Sequence, residues 1–343
     1  VGALVALGLA LAVGAPANAR GHRIRHVFII VLENESYSTS FGPHSKAPYL
    51  SRTLTREGRL LRNYYAVGHE SLDNYVAMVS GQGPNPFTQG DCPSYVNVVP
   101  GVVTVDGQAS GFGCVYPRSV QTIANQLTAA HLSWRGYMET MPKPCDHPAP
   151  NGQPAPETAK MRYAPRHDPF VYFHSITDNV RYCDSHVINF KAMSSALKHV
   201  STTPNFSFIT PDVCDDGHDS PCPDGRPGGL VTADKFLRKW VPRIMASPAY
   251  RRDGLLVVLF DEAGANDTSS CCGEIDANSP SPGIGGPGGG RVGAVLLSPF
   301  IKAGSVDKTA YNHYSLLRSL EDIFGLSHLG YAASPNPGAF KGI

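Results

Sequence analysis

Seven consecutive residues, His26 to Leu32 (HVFIIVL), are almost wholly apolar, rich in β-branched side chains, and stop abruptly at Glu33 and Asn34. A run of this length and composition suits a strand buried on both faces, as in the middle of a parallel sheet. Sheets of that kind place ligands just past the carboxyl ends of their strands. Glu33 and Asn34 would sit at that edge, and the constraint tightens if other strands end in polar groups.

Other strands do. Gly254 to Phe260 (GLLVVLF) is the most apolar strand-like run and ends in Asp261-Glu262, while Asn205 to Thr210 runs into PDVCDDGHD. Arg59 to Ala66, Leu132 to Met138 and Val292 to Leu297 also read as strands. Between them, helical spacing covers Ala47 to Gly58, Leu72 to Ser80 with Ser71 as its cap, Val120 to His131, Phe190 to Val200, Leu230 to Met245 and Tyr311 to Gly325. Strand and helix alternate, which predicts one α/β domain over residues 20–343, with a mainly parallel central sheet and helices on both faces. Gln82 to Pro117 has no clear period and reads as a disulfide-tied excursion. Ala263 to Gly290 is a Gly/Pro/Ser tract too poor in apolar residues to pack a core, hence a flap or surface linker.

The charge balance, 29 basic against 28 acidic side chains, gives no clustered basic excess and so no nucleic-acid footprint. The start, Val1 to Val13, is apolar and is followed by Ala17-Asn18-Ala19, the pattern of a secretory signal over residues 1–19. About thirteen apolar residues fall short of the roughly 20 that span a bilayer. The expected location is therefore secreted, periplasmic or cell-surface, with no stable membrane insertion. Eight cysteines are an even set for an oxidising compartment. Cys92 with Cys114, Cys145 with Cys183 and Cys214 with Cys222 are plausible local pairs among several connectivities. A bridge between the neighbours Cys271 and Cys272 would be strained, so these two are expected to pair elsewhere.

Five places bring metal-competent or nucleophilic groups to one sheet edge: Glu33-Asn34, Ser71, Asp212 to His218, Asp261-Glu262 and His313. Each has an ordinary reading on its own: an edge residue, a helix cap, a turn, a packed histidine. Asp261-Glu262 resists that reading, because two acids directly after a buried strand repel each other unless a cation or solvent relieves them. Carboxylates and an amide oxygen suit magnesium, calcium or manganese, and added imidazoles suit zinc or iron. A serine beside such an ion becomes a usable nucleophile, so the set describes phosphoryl transfer or phosphate-ester hydrolysis.

The segments HVFIIVLENESYSTSFG, HESLDNYVAMVSG, SWRGYMETMP, YAPRHDPFVYF, TPDVCDDGHD, VVLFDEAG, GGGRVGAVLLSPFIKAG and NHYSLLRSLEDIFGL resemble the bacterial phosphoesterase family of secreted acid phosphatases and phospholipases C, within the alkaline-phosphatase-like superfamily. The matches run in order from about His26 to Leu326. The resemblance implies a divalent metal held by Glu33, Asn34, Ser71, Asp261 and Glu262, with Ser71 as nucleophile. It implies His69, Asn74 and His167 as phosphate contacts, and His218 and His313 as candidates for protonating the leaving group. Glu262 stands where related enzymes often carry aspartate or histidine, and Asp73 where proline is common.

The expected activity is hydrolysis of a small phosphomonoester through a phosphoserine. Phospholipase C or phosphodiesterase chemistry at the same site is the nearest alternative. A metal-independent serine esterase is disfavoured because Ser71 lacks a G-x-S-x-G elbow. An exported phosphate- or metal-binding protein without turnover is the alternative from another class.

Overall fold

A computed structural model describes residues 24–272, 288–336 and 338–343. The proposed leader, residues 1–19, and most of the Ala263 to Gly290 tract lie outside them. Among the described residues ten strands form: β1 (His26–Leu32), β2 (Arg59–Tyr65), β3 (Val99–Val103), β4 (Ala109–Phe112), β5 (Trp134–Met138), β6 (Val187–Asn189), β7 (Phe206–Thr210), β8 (Gly254–Phe260), β9 (Ala294–Leu297) and β10 (Ser305–Asn312). The longer helices are α1 (Ser71–Ser80), α2 (Ile123–Ala129), α3 (Gly229–Ala246) and α4 (His313–Phe324).

Eight strands make one sheet in the order β10-β2-β9-β8-β1-β7-β5-β6. β1 pairs in parallel with β7 and β8, β5 with β6 and β7, and β10 with β2. Only β9 runs against its neighbours β2 and β8. The α/β expectation therefore holds. Every residue of β1, β7 and β8 is buried, which is why these three read as continuous apolar runs rather than alternating ones. Their carboxyl ends share one edge, and Glu33, the Asp212 loop and Asp261 emerge there together.

Three features depart from the sequence reading. The last helix begins at His313, because Tyr311 and Asn312 finish β10. That strand, SVDKTAYN, leaves the alternate residues Val306, Lys308 and Ala310 exposed, as an edge strand does, and its charged residues hid it. The Gln82 to Pro117 excursion contains the hairpin β3–β4. Cys92–Cys114, Cys145–Cys183 and Cys214–Cys222 are joined, and Cys271 is bonded to its neighbour Cys272 instead of pairing elsewhere.

Candidate active site

α1 is the element that carries Ser71 to the sheet edge. All ten of its residues are buried, so the helix is held on every side and its first residue is fixed relative to β1. Ser71 is not the cap. It is the first helical residue, and its Oγ donates to Glu33 Oε2 at 2.9 Å. Tyr75, one turn along the same face, donates its hydroxyl to Glu33 Oε1 at 2.7 Å. Glu33 is thereby gripped on both oxygens, at 0% exposure.

The backbone leading into α1 is bent into an unusual conformation. Glu70 has φ 74°, which is costly for a residue with a side chain, so its neighbours must hold it. Asn74 supplies much of that hold. Its Oδ1 accepts from the amides of Val67 (2.9 Å) and Gly68 (3.2 Å), and its Nδ2 donates to the carbonyls of Gly68 (2.9 Å) and Glu70 (3.1 Å). Glu262 completes the grip, accepting from the Glu70 amide at 3.2 Å and contacting His69 Nδ1 at 2.5 Å. In the first turn of the helix, the Leu72 amide is taken by Asp91 Oδ1 at 3.0 Å.

On the β8 side, Asp261 Oδ1 accepts from the amides of Asn34 (3.1 Å) and Glu262 (2.5 Å), while its Oδ2 has no partner. His313 is fully buried and engaged on both nitrogens, with the Tyr64 hydroxyl at 2.9 Å and the Asp261 carbonyl at 2.5 Å. Burial pushes its imidazole down to about 4, so it is neutral and braces the strand end. His218 lies toward the rim, with Nδ1 2.8 Å from Asp219 Oδ1 and Nε2 3.3 Å from Arg166. Its ring centroid is 5.7 Å from that of His167.

Asp216 and Tyr75 belong to the same group and were not singled out from the sequence. Tyr75 could have been found, because it lies four residues after Ser71 on a helix. Asp216 lay inside a flagged run, but local sequence does not tell which of four aspartates turns inward. A backbone bond from the Glu33 amide to the Asp216 carbonyl, 3.0 Å, decides it. Gly217, at φ 115°, makes that approach possible, since a Cβ there would lie 2.9 Å from the Glu33 carbonyl oxygen.

The electrostatics of this group are unbalanced. His167 places Nε2 3.4 Å from Glu33 Oε2 and Nδ1 3.2 Å from Asp216 Oδ2. These contacts are close but poorly aligned, so both ring nitrogens and Asp216 Oδ2 lack a hydrogen bond. Burial, then the charges of Asp261 and Asp216, hold Glu33 well above the ordinary carboxylate range. Burial likewise raises Asp216, Glu262 and Asp73, and pushes Asp261 up to about 6. His167 is pushed down, first by burial and then by Arg166 and His218. Buried carboxylates without counter-charge are the condition that a divalent cation relieves. Glu33, His167 and Asp216 can each turn one ligand atom into a space where these atoms lie within 4.8 Å of one another, and the Asp261 oxygen is a further orphan. The donor set therefore fits a divalent cation.

Residues 43–327 match the profile of the Phosphoesterase family. A phosphate-repressible acid phosphatase of Penicillium chrysogenum is 29% identical over 316 residues, which are 92% of this chain and 62% of that protein. The chain thus spans about three fifths of that relative's length. A phosphatidylinositol-3-phosphatase of Mycobacterium tuberculosis is 26% identical over 91% of this chain and 81% of its own. Among solved structures, an alkaline-phosphatase-superfamily protein of Vibrio parahaemolyticus superimposes with a TM-score of 0.53 at 12% identity, covering 89% of this chain and 67% of that one. That likeness bears on the fold.

Proposed function

The chain belongs to the phosphoesterase family, and on that premise we propose that it is an exported, metal-dependent phosphatase that hydrolyses phosphomonoesters through a phosphoserine at Ser71. The observation that carries the proposal is the 2.9 Å hydrogen bond from Ser71 Oγ to a Glu33 carboxylate held among unneutralised acids. Glu33, Asn34, Ser71, Asp261 and Glu262 would hold the cation, with His167 and Asp216 as additional donors. When bound, the cation neutralises the buried acids and lowers the cost of ionising the serine hydroxyl.

The rest follows from the chain's own groups. Glu33 Oε2 is placed to receive the Ser71 proton, and the Tyr75 hydroxyl keeps that carboxylate aimed. Ser71 Oγ then bonds to phosphorus as the bond to the leaving oxygen breaks. His313 is fully buried, so His218, half-buried at the rim with Nδ1 on Asp219, is the better placed donor of a proton to the departing alkoxide. Water cleaves the phosphoserine in a second displacement, releasing phosphate and restoring the hydroxyl. With His167 among the cation's donors, His69 would face the equatorial oxygens. Glu262 aims His69 through its Nδ1.

Phosphoinositide headgroups are a second reading of the substrate, supported by the mycobacterial relative, most of whose length this chain covers. Ser71→Ala is expected to lower phosphomonoester turnover by at least about 10³-fold with the fold intact, measured with a soluble ester and a thermal melt. Near wild-type turnover in that variant overturns the assignment, and a phosphodiester or phosphocholine lipid hydrolysed faster than any monoester replaces the substrate class.

A further inference from the structure

Eight large apolar side chains are exposed among the described residues, and five of them belong to one hairpin: Val99, Val102, Val103, Val105 and Phe112. Val105, in the turn between β3 and β4, is exposed as fully as in an open chain (107%), and Val102 and Phe112 remain 62% and 63% exposed. The other three, Met161, Val180 and Val306, are scattered. Asp106 is the single charged residue between Val99 and Phe112.

The hairpin is not a loose loop. The Gln82 side chain donates to the Gly107 carbonyl (2.6 Å) and accepts from the Ala109 amide (2.7 Å). Gln108 answers by accepting from the Gly83 amide (2.6 Å) and donating to the Gly81 carbonyl (2.9 Å). The Cys92–Cys114 bond ties its root. These contacts fasten the inner side to the end of α1, and the outer side presents apolar groups from a rigid support.

We propose that this outer surface docks reversibly on a lipid bilayer, seating Val102, Val105 and Phe112 in the interfacial layer. The apolar patch is confined to one hairpin, residues 99–112, smaller as a whole than the roughly 20–30 residues per side that a stable protein interface uses, which argues against a second copy or another folded protein. A bilayer needs no matching shape and accepts apolar side chains singly, and the near absence of charge keeps the desolvation cost low. The unpaired backbone groups along the hairpin's open edges limit entry to the hydrated interface. Among the described residues no helix is long and apolar enough to cross a membrane, so the attachment is by surface contact. The inference goes beyond the proposed activity and does not depend on it.

The test is co-sedimentation of the full chain with phosphatidylcholine vesicles at low and high salt, beside the V102E/V105E double variant. Both positions are exposed, so a thermal melt should show an unchanged fold. Salt-insensitive binding by the wild type that falls about tenfold or more in the variant is the expected result. Absence of binding, binding released by salt, or equal binding by the variant overturns the proposal. So does a concentration-dependent dimer that the variant dissolves, which would assign the surface to a second copy of the chain.

Discussion

Two acidic clusters sit only a few residues apart on the loop after β7, and their fates differ. Asp212 and Asp215, with Glu139 from the end of β5, form one group; Asp216, with Glu33 and His167, forms the other. In the first, Arg162 pairs with Asp212 at 2.8 Å, Arg226 pairs with Asp215 at 2.6 Å, and Glu139 accepts from the Asp212 amide at 3.1 Å. In the second, burial disfavours the charged form of the His167 imidazole, and Arg166, whose charge acts on Glu33 and Asp216 through space, is paired with Asp91 and Glu157 instead. In the first cluster the chain supplies an arginine to two of the three acids, and burial with the charges of Asp212 and Asp215 holds Glu139 up to about 8; in the second no arginine among the described residues is paired with Glu33 or Asp216, and this is where the proposed cation would sit. Similar donor sets thus differ in whether an arginine pairs with them, and that difference is what singles out the second for the proposed cation.

The contrast can be broken at either end. Asp261→Asn keeps an oxygen for the amides of Asn34 and Glu262 while removing one of the uncompensated charges. Turnover should fall about 10²–10³-fold. In chelator, however, the variant should be the more stable protein above pH 6. The sign follows from the shift: Asp261 titrates at about 6 in the fold against about 3.9 when unfolded. Its ionisation therefore opposes folding, by at most ~3 kcal/mol, and the variant's advantage should vanish as pH falls toward 4. Melting curves from pH 4 to 8 without metal check this, and an advantage that grows on acidification contradicts it.

Arg162→Ala should convert the first cluster into a likeness of the second. The Asp212 side chain is fully buried, so losing its partner should cost about 2–4 kcal/mol, read from denaturant unfolding. Adding Asp212→Asn should restore much of that loss, and no restoration would mean that the arginine acts by packing alone. Arg226→Ala should have the smallest effect. Its side chain is 38% exposed, so solvent screens its pairs and the denaturation midpoint should hardly move.

Much of the site edge was legible before any coordinates. β1 and β8 announced themselves as uninterrupted apolar runs, and the acids that ended them marked the edge of the candidate site, because a strand buried on both faces has nowhere to hide polarity except its ends. Ser71 was legible as a helix start but not as a donor to Glu33, since that bond depends on where α1 lies over the sheet. By strand position Glu262 is one more candidate metal ligand beside Asp261. In the fold its carboxylate also grips the Glu70 amide and His69, which strand position alone does not reveal.

By itself, then, the sequence determined the strands, their polar ends and the family resemblance, because periodicity and composition act locally along the chain. Which acids are neutralised was decided only in three dimensions. Arg162 reaches Asp212 and leaves Asp216 facing Glu33 because of how the loop after β7 is pinned to β1. Charge balance is a property of distance in space, and no local pattern encodes it.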